Sequence, residues 1–538
     1  MSAHSLRLTR RGENEAPDAL ASPVARGVRP GLVLAILSVT VLIINLDGTI
    51  LNVALPKIVS SLHASASQLQ WIVDAYAVIL AGLLLIAGTL GDHLGRKWIF
   101  VAGLVIFASG SALSAFATTT TSLISARAFM GVGAAAIMPS TLSILTNVFT
   151  EPGQRARAIG LWSGTNGLGL AIGPTVGGWL LAHYWWGSVF LINVPIALVT
   201  GLAALWLVPN SKNLHAKAPD FLGAAASLAG IGLLLWGIIE GPARGWASPA
   251  VVGALATSFV LLVGLALWER HCDHPLLELS FFRSARFSVA MGALALTIFA
   301  LSGAMFLLTQ YLQFVLGYSA WETGLRITPI ALVLLVVAAT SSFVVKWVGT
   351  KPVVFSGMIL IAVGLGRLSE LGVHSTYTTA LPAFFLLGIG TGLAVAPSTE
   401  SVMGSVPTDL AGVGSATNST ALQIGGALGV AVMGSLLNTH YRHLMIAVIS
   451  HVPLVPALAR ASLGSVAGAY ATGRYVSPSA AAHLAEGARA SFVSAMDVTF
   501  DIGAIIVAMA ALIVVISLPS RADRPEAALF SDLGGPMS

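Results

Sequence analysis

Apolar residues run through this chain in blocks of about 20, the length a helix needs to cross the hydrocarbon core of a bilayer. About fourteen such blocks can be counted. They fall near 32–55, 70–90, 98–117, 121–147, 157–182, 188–207, 221–240, 250–268, 287–309, 324–343, 353–370, 377–397, 415–437 and 493–517. Backbone polar groups in lipid must be satisfied within their own segment, so each block reads as a helix. The expected fold class is therefore an all-α polytopic membrane protein.

The polar positions between the blocks orient it. Arg7, Arg10, Arg11, Arg26 and Arg29 precede the first span, and Arg96, Lys97, Arg155, Arg157, Lys212, Lys217, Arg270, Arg283, Arg286, Lys346, Lys351, Arg521 and Arg524 fall on the same side of alternate spans. Short cytoplasmic loops carry this excess, which predicts a cytoplasmic membrane protein with both termini inside. The first thirty residues lack a short apolar core with a small-residue cleavage site, so the first span is expected to act as its own insertion signal. An Ala- and Ser-rich connection at 438–490 is expected outside, either as short surface helices or as an irregular loop.

Two loops echo each other: Gly95-Arg96-Lys97 after the second span and Gly349-Thr350-Lys351 after the tenth. Repeated halves are common in transporters. The predicted division is a tail 1–31, a six-helix bundle 32–207, two inserted helices with their flanking loops at 208–286, a second six-helix bundle 287–517 and a tail 518–538.

Composition narrows the function. Of 538 residues, 56% are hydrophobic and 9% charged, against about 25% charged in soluble domains. A net charge of +5 would suit nucleic acid only if the cations shared a soluble face, which they do not, so none is expected as a partner. The expected partners are the lipid bilayer and a small-molecule substrate; oligomeric state is not encoded legibly. A single cysteine, Cys272, excludes an intramolecular disulfide. No nucleophile with a base, metal-spaced histidine cluster or phosphate loop ending in Lys-Ser or Lys-Thr is present, so neither an enzyme nor direct ATP use is expected.

Three motifs carry a family resemblance. Gly91-Asp92-His93-Leu94-Gly95-Arg96-Lys97 resembles the cytoplasmic signature between spans two and three of the major facilitator superfamily. Gly160, Gly169, Gly173-Pro174 and Gly177-Gly178 in span five look like the antiporter signature of its drug exporters. The four-residue spacing places Gly169, Gly173 and Gly177 on one face for close helix approach, and Pro174 bends the helix. Leu46-Asp47-Gly48-Thr49 through Pro56 is similar to the first-span signature of the fourteen-span drug:proton antiporters. Trp71 to Tyr76, Arg127 to Gly131, Phe190 to Pro195, and Gln310 to Gly317 with Gly324 extend the likeness along the chain. The tenth span departs from some relatives, having no acid from Ile327 to Val345.

The resemblance implies two six-helix bundles plus two inserted helices, and proton-driven export of amphipathic or cationic drugs with the proton as coupling ion and no cofactor or metal. An exporter of an endogenous metabolite or lipid, or a facilitator or symporter of the same fold, is the alternative. Within this frame a carboxylate inside a span is a functional candidate by default. Asp47 is expected to be the main proton and cation site, Asp74 to attract substrate and Arg127 to tune protonation, against plain readings of helix packing for Asp47 and an interfacial acid for Asp74. Trp71, Tyr76, Tyr311 and Phe314 are candidates for an aromatic substrate cavity or for interface anchors. Asp497 and Asp501 share a face of span fourteen as a second titrating pair or a hydrated interface. Glu322, three residues after Ser319, is expected to cap helix ten.

Overall fold

A computed structural model describes residues 29–212, 219–272, 278–407 and 410–518. The predicted tails, and Lys217 in the connection before the inserted helices, lie mostly or wholly outside these residues. Among the described residues the chain is helical without strands. The first bundle comprises α1 (Pro30–Leu62), α2 (Ala66–Leu94), α3 (Arg96–Ala115), α4 (Thr120–Val148), α5 (Pro152–His183) and a sixth crossing split into α6 (Ser188–Leu191) and α7 (Asn193–Leu207). The inserted pair is α8 (Phe221–Arg244) and α9 (Pro249–Glu269). The second bundle comprises α10 (Ala285–Gln310), α11 (Ala320–Val348), α12 (Thr350–Leu368), α13 (Tyr377–Met403), α14 (Ala411–Ile449) and α17 (Pro478–Ser517), with the short α15 (Pro456–Gly464) and α16 (Val466–Thr472) between the last two.

Thirteen helices among the described residues are long and apolar enough to cross a membrane. The fourteenth crossing, α5, spans 32 residues but is diluted by glycine. It packs along α1 and α11, where close approach matters more than lipophilicity. Local chemistry sets the ends. Ser65 with Gln68, and Ser319 with Glu322, form reciprocal capping boxes, the second as predicted. Gly95 (φ 113°) and Gly349 (φ 88°) occupy left-handed backbone at matching turns, α2 to α3 and α11 to α12. The two echoed loops are thus the same structural joint in the two halves.

One expected boundary moves. The connection placed at 438–490 shrinks, because α14 runs on to Ile449 and α17 starts at Pro478. On the α17 side, alanine-rich sequence keeps helical propensity where hydropathy falls away, and Ser477 caps the new start by accepting from the Ala480 amide. What lies between is α15, α16 and a short 3₁₀ turn, the helical alternative.

The bundles meet along two seams, α5 against α11 and α2 against α14, and the inserted pair covers the second seam by packing α8 on both α2 and α14. Both seams are shut at the end opposite Gly95. There, a Cβ added to Gly178 would stand 2.7 Å from the Ala320 carbonyl oxygen, and Gly324 fits against the Pro174 carbonyl. Gln70 Nε2 donates to the carbonyls of Val430 (3.1 Å) and Ala431 (3.0 Å), and Gln313 Nε2 to that of Val53 (3.0 Å). Toward the Gly95 end the pattern reverses. On α5 only Ala158 is buried among the described side chains from Gly153 to Leu168, and on α11 only Ser341 from Leu332 to Val348. Beyond the contact of Gly167 with Leu335, α5 and α11 therefore part at that end.

Candidate functional site

The deepest charges lie inside the first bundle. Asp47, in the middle of α1, is fully buried, and Arg127 on α4 is 1% exposed. Arg127 Nη1 donates to Asp47 Oδ2 at 2.5 Å. The second carboxylate oxygen accepts from Asn193 Nδ2 at 2.9 Å, and Asn193 also donates to Ser111 Oγ at 3.2 Å. Arg127 Nε donates to the Ile72 carbonyl at 3.1 Å, and its guanidinium stands 4.4 Å from the Tyr76 ring centre and 5.7 Å from that of Phe190. Five helices and the short α6 thus converge on one compensated ion pair and the amide that holds it. Such a pair holds only while both partners stay, since removing one leaves a bare charge in apolar surroundings.

Asp74 does not join this group. Ile72 and Tyr76 face α4, and Asp74 lies about 200° round the helix from each. It shares a face with Gln70 and Val78, the face that meets α14. Asp74 is fully buried, and neither carboxylate oxygen has a hydrogen-bond partner among the described residues. One expected triad therefore resolves into a compensated pair inside the first bundle and a bare carboxyl at the seam between bundles.

The aromatic candidates do not line one cavity. Tyr76 packs on Arg127, and Trp71 packs on the cluster of α2, α8 and α14 around Val78. The Tyr311 hydroxyl donates to the Gly372 carbonyl at 2.9 Å. Phe314 stacks on Tyr470 of α16, ring centres 6.4 Å apart. Tyr311 and Phe314 end a span, where rings fix a helix end rather than face a pore. Asp497 is half-buried and Asp501 exposed on α17.

The glycine motif of α5 behaves as its spacing predicted at three positions. Added Cβ atoms would lie 2.7 Å from the Leu42 carbonyl at Gly169 and 2.5 Å from Ile50 Cγ1 at Gly177, while Gly173 is pressed on Thr49. All three seat α5 on α1 at the level of Asp47. Gly178 faces α11 instead, with Pro174 beside Gly324. Gly160 has nothing within 4 Å of its Cβ position, because it lies on the parted half of α5.

At the Gly95 turn, Arg96 Nε donates to Asp92 Oδ1 at 2.8 Å and Nη1 to the Ser143 carbonyl of α4 at 3.4 Å. Lys97 Nζ caps the end of α7 through the Leu205 carbonyl at 2.7 Å. Gly91 stands beside Ser140 of α4. Asp92 thus pairs inside its own motif, and the cations bind neighbouring helix ends. Sequence reasoning missed Asn193 and Gln70; a polar amide inside an apolar run was the available signal for both.

Comparison with known proteins fits this architecture. Residues 37–430 match the family model described as Major Facilitator Superfamily. The chain is 33% identical over 488 residues to the multidrug efflux pump LfrA of Mycolicibacterium smegmatis, covering 90% of this chain and 96% of that protein. It is 34% identical to the tetracenomycin C resistance and export protein of Streptomyces glaucescens, over 79% of each. It is 33% identical to the methyl viologen resistance protein SmvA of Salmonella typhimurium, over 77% of this chain and 83% of that one. Among solved structures, an inward-facing, occupied bacterial homologue of the lysosomal transporter Spinster aligns with a TM-score of 0.63 at 17% identity, over 91% of this chain and 98% of that one. An auto-inhibited peptide transporter of the POT family aligns with a TM-score of 0.61 at 14% identity, over 94% and 98%.

Proposed function

Because the chain belongs to the major facilitator superfamily and is a multi-pass membrane protein, we propose that it is a proton-coupled antiporter exporting small amphipathic or cationic compounds from the cytoplasm by alternating access. The names of its relatives, a multidrug pump and resistance proteins for an antibiotic and for methyl viologen, an organic cation, support the substrate class. The observation that carries the reading is the buried pair of Asp47 and Arg127, locked by Asn193.

The Lys and Arg distribution supports a Gly95 end that faces the cytoplasm of an inner membrane, with the seams then closed outside and α5 and α11 parted inside. In this state Asp47 is charge-compensated and sealed, while Asp74 waits at the seam as the carboxyl that attracts a cation. When the outer end opens, a proton reaching Asp47 cancels its charge and frees Arg127, whose guanidinium then repels a bound cation outward. The glycine face that seats α5 on α1 beside Asp47 transmits that change to the α5–α11 seam. Export against a gradient follows from reciprocal coupling between the two ligands.

The test is flux in vesicles containing purified protein. Under an imposed pH gradient, ethidium and protons should move in opposite directions, and dissipating the gradient should stop ethidium accumulation. Accumulation indifferent to the gradient would exclude antiport.

A further inference from the structure

The split between α5 and α11 has a definite depth. It begins below Gly167, where an added Cβ would lie 2.7 Å from Leu335 Cδ1. From that contact α5 runs back to Arg157 and α11 runs on to Lys346, so each cation lies about 15–17 Å farther toward the Gly95 end at 1.5 Å per residue. One leaflet of the hydrocarbon core is about 15 Å deep, half of the whole. The split therefore has the depth of a leaflet, with a cation on each side of its mouth.

The facing walls are small. Helical rotation puts Gly160, Gly164 and Arg157 within about 80° of Gly167 on α5, and Ala339, Ser342 and Lys346 within about 40° of Leu335 on α11. These are the same faces that meet at the closed end, where Thr175 Oγ1 and Thr328 Oγ1 share a hydrogen bond of 2.6 Å. All six residues are exposed, and nothing lies within 4 Å of the Cβ position of either Gly160 or Gly164. The result is a narrow slot between two helices, smooth on both sides. It faces lipid, because the inserted pair lies on the other seam, α8 on α2 and α14 and α9 on α8.

Charge selects what fills it. Neither Arg157 nor Lys346 forms an ion pair among the described residues, whereas Arg155 is turned back to the Phe149 and Thr150 carbonyls. Trp347, 89% exposed beside Lys346, marks the level of the membrane interface. An exported cation would meet two like charges at this mouth, while an anionic headgroup would meet two unpaired cations at its own depth. We infer that the slot is a binding site for an anionic phospholipid, with one acyl chain between α5 and α11 and the phosphate between Arg157 and Lys346. The chain holds the two helices apart, so it must leave before they can close.

The experiment places the full chain in phosphatidylcholine nanodiscs containing a minor fraction of phosphatidylglycerol whose acyl chain carries a photoactivatable diazirine. Cross-linked positions are read by peptide mass spectrometry. Adducts are expected on the slot faces of α5 and α11 below Gly167. The double variant Arg157→Gln with Lys346→Gln should lower them about thirtyfold, the weight of two cations toward an anionic headgroup. Gly160→Leu keeps both charges but fills the slot, and should remove adducts there while leaving those elsewhere on the chain unchanged. Both variants are checked for a folded, monodisperse protein, and if one fails to fold the other decides. Slot adducts unchanged in the folded variants would overturn the site. So would equal labelling by the same diazirine on phosphatidylcholine, which would make the slot a place for any lipid tail. A failure of cation–proton exchange in vesicles would leave the site standing, because it needs only helices that cross a bilayer.

Discussion

Replacing Arg127 with methionine removes the cation and leaves a side chain of similar length among Tyr76, Phe190 and Met130. Asp47 then keeps a hydrogen bond from Asn193 but loses its counter-charge while still fully buried. Breaking one side of a buried pair costs about 3–5 kcal/mol, whereas replacing both partners by neutral groups is often close to neutral. Arg127→Met alone should therefore destabilise by about 3–5 kcal/mol, Asp47→Asn alone by a similar amount because Arg127 is then bare, and the double variant by clearly less than either. Expressed as a double-mutant cycle, the coupling should exceed about 3 kcal/mol, well outside the 0.3–0.5 kcal/mol scatter of independent sites. The assay is reversible unfolding in mixed detergent micelles, followed by tryptophan fluorescence, for wild type, both single variants and the double. Additive losses, or a cost below about 1 kcal/mol for Arg127→Met, would refute the view that this pair carries an uncompensated charge when split.

Three further outcomes follow from the seams and turns. Gln70→Leu removes the two hydrogen bonds to backbone carbonyls that tie α2 to α14, each worth about 0.5–1.5 kcal/mol net, so outward-open molecules should rise from about fivefold to about a hundredfold; maleimide labelling of a cysteine introduced at Ala431 should quicken accordingly, and an unchanged rate would count against the clamp. Gly169→Val forces a branched side chain against the Leu42 carbonyl and should abolish export while protein still reaches the membrane, whereas Gly160→Val, on the open half of α5, should be tolerated; equal losses would show that packing on α1 is not the reason for the glycines. Alanine at Gly95 or Gly349 must hold a positive φ, a cost of about 1–2 kcal/mol, and at Gly95 it also meets Asn210 at 2.6 Å; melting temperatures should drop more for Gly95→Ala than for Gly349→Ala.

Much of the architecture was legible because lipid leaves so few solutions. Twenty-residue apolar blocks must be helices, and the cation-bearing turns mark alternate loops. The capping box at Ser319 and the paired glycines of the two echoed turns were readable from local chemistry alone. The site was legible residue by residue but not in its grouping. Asp47 and Arg127 announce themselves as charges in apolar helices, yet which acid pairs with Arg127 depends on the rotation of α2. That rotation turns Ile72 and Tyr76 toward α4 and leaves Asp74 facing α14, a consequence of packing that no spacing in one helix reveals. The aromatics fail as a set for the same reason: an end-of-span ring serves whichever neighbour is nearest.

The coupling of proton binding at Asp47 to substrate expulsion stands at the centre of the proposed mechanism. It is tested most directly by comparing wild type and Asp47→Asn in vesicles loaded with a pH-sensitive dye, with ethidium and proton fluxes recorded together under an imposed pH gradient. Opposed fluxes are expected in wild type and loss of both in Asp47→Asn, with ethidium at most equilibrating down its own gradient. Full proton-driven accumulation by Asp47→Asn would contradict it.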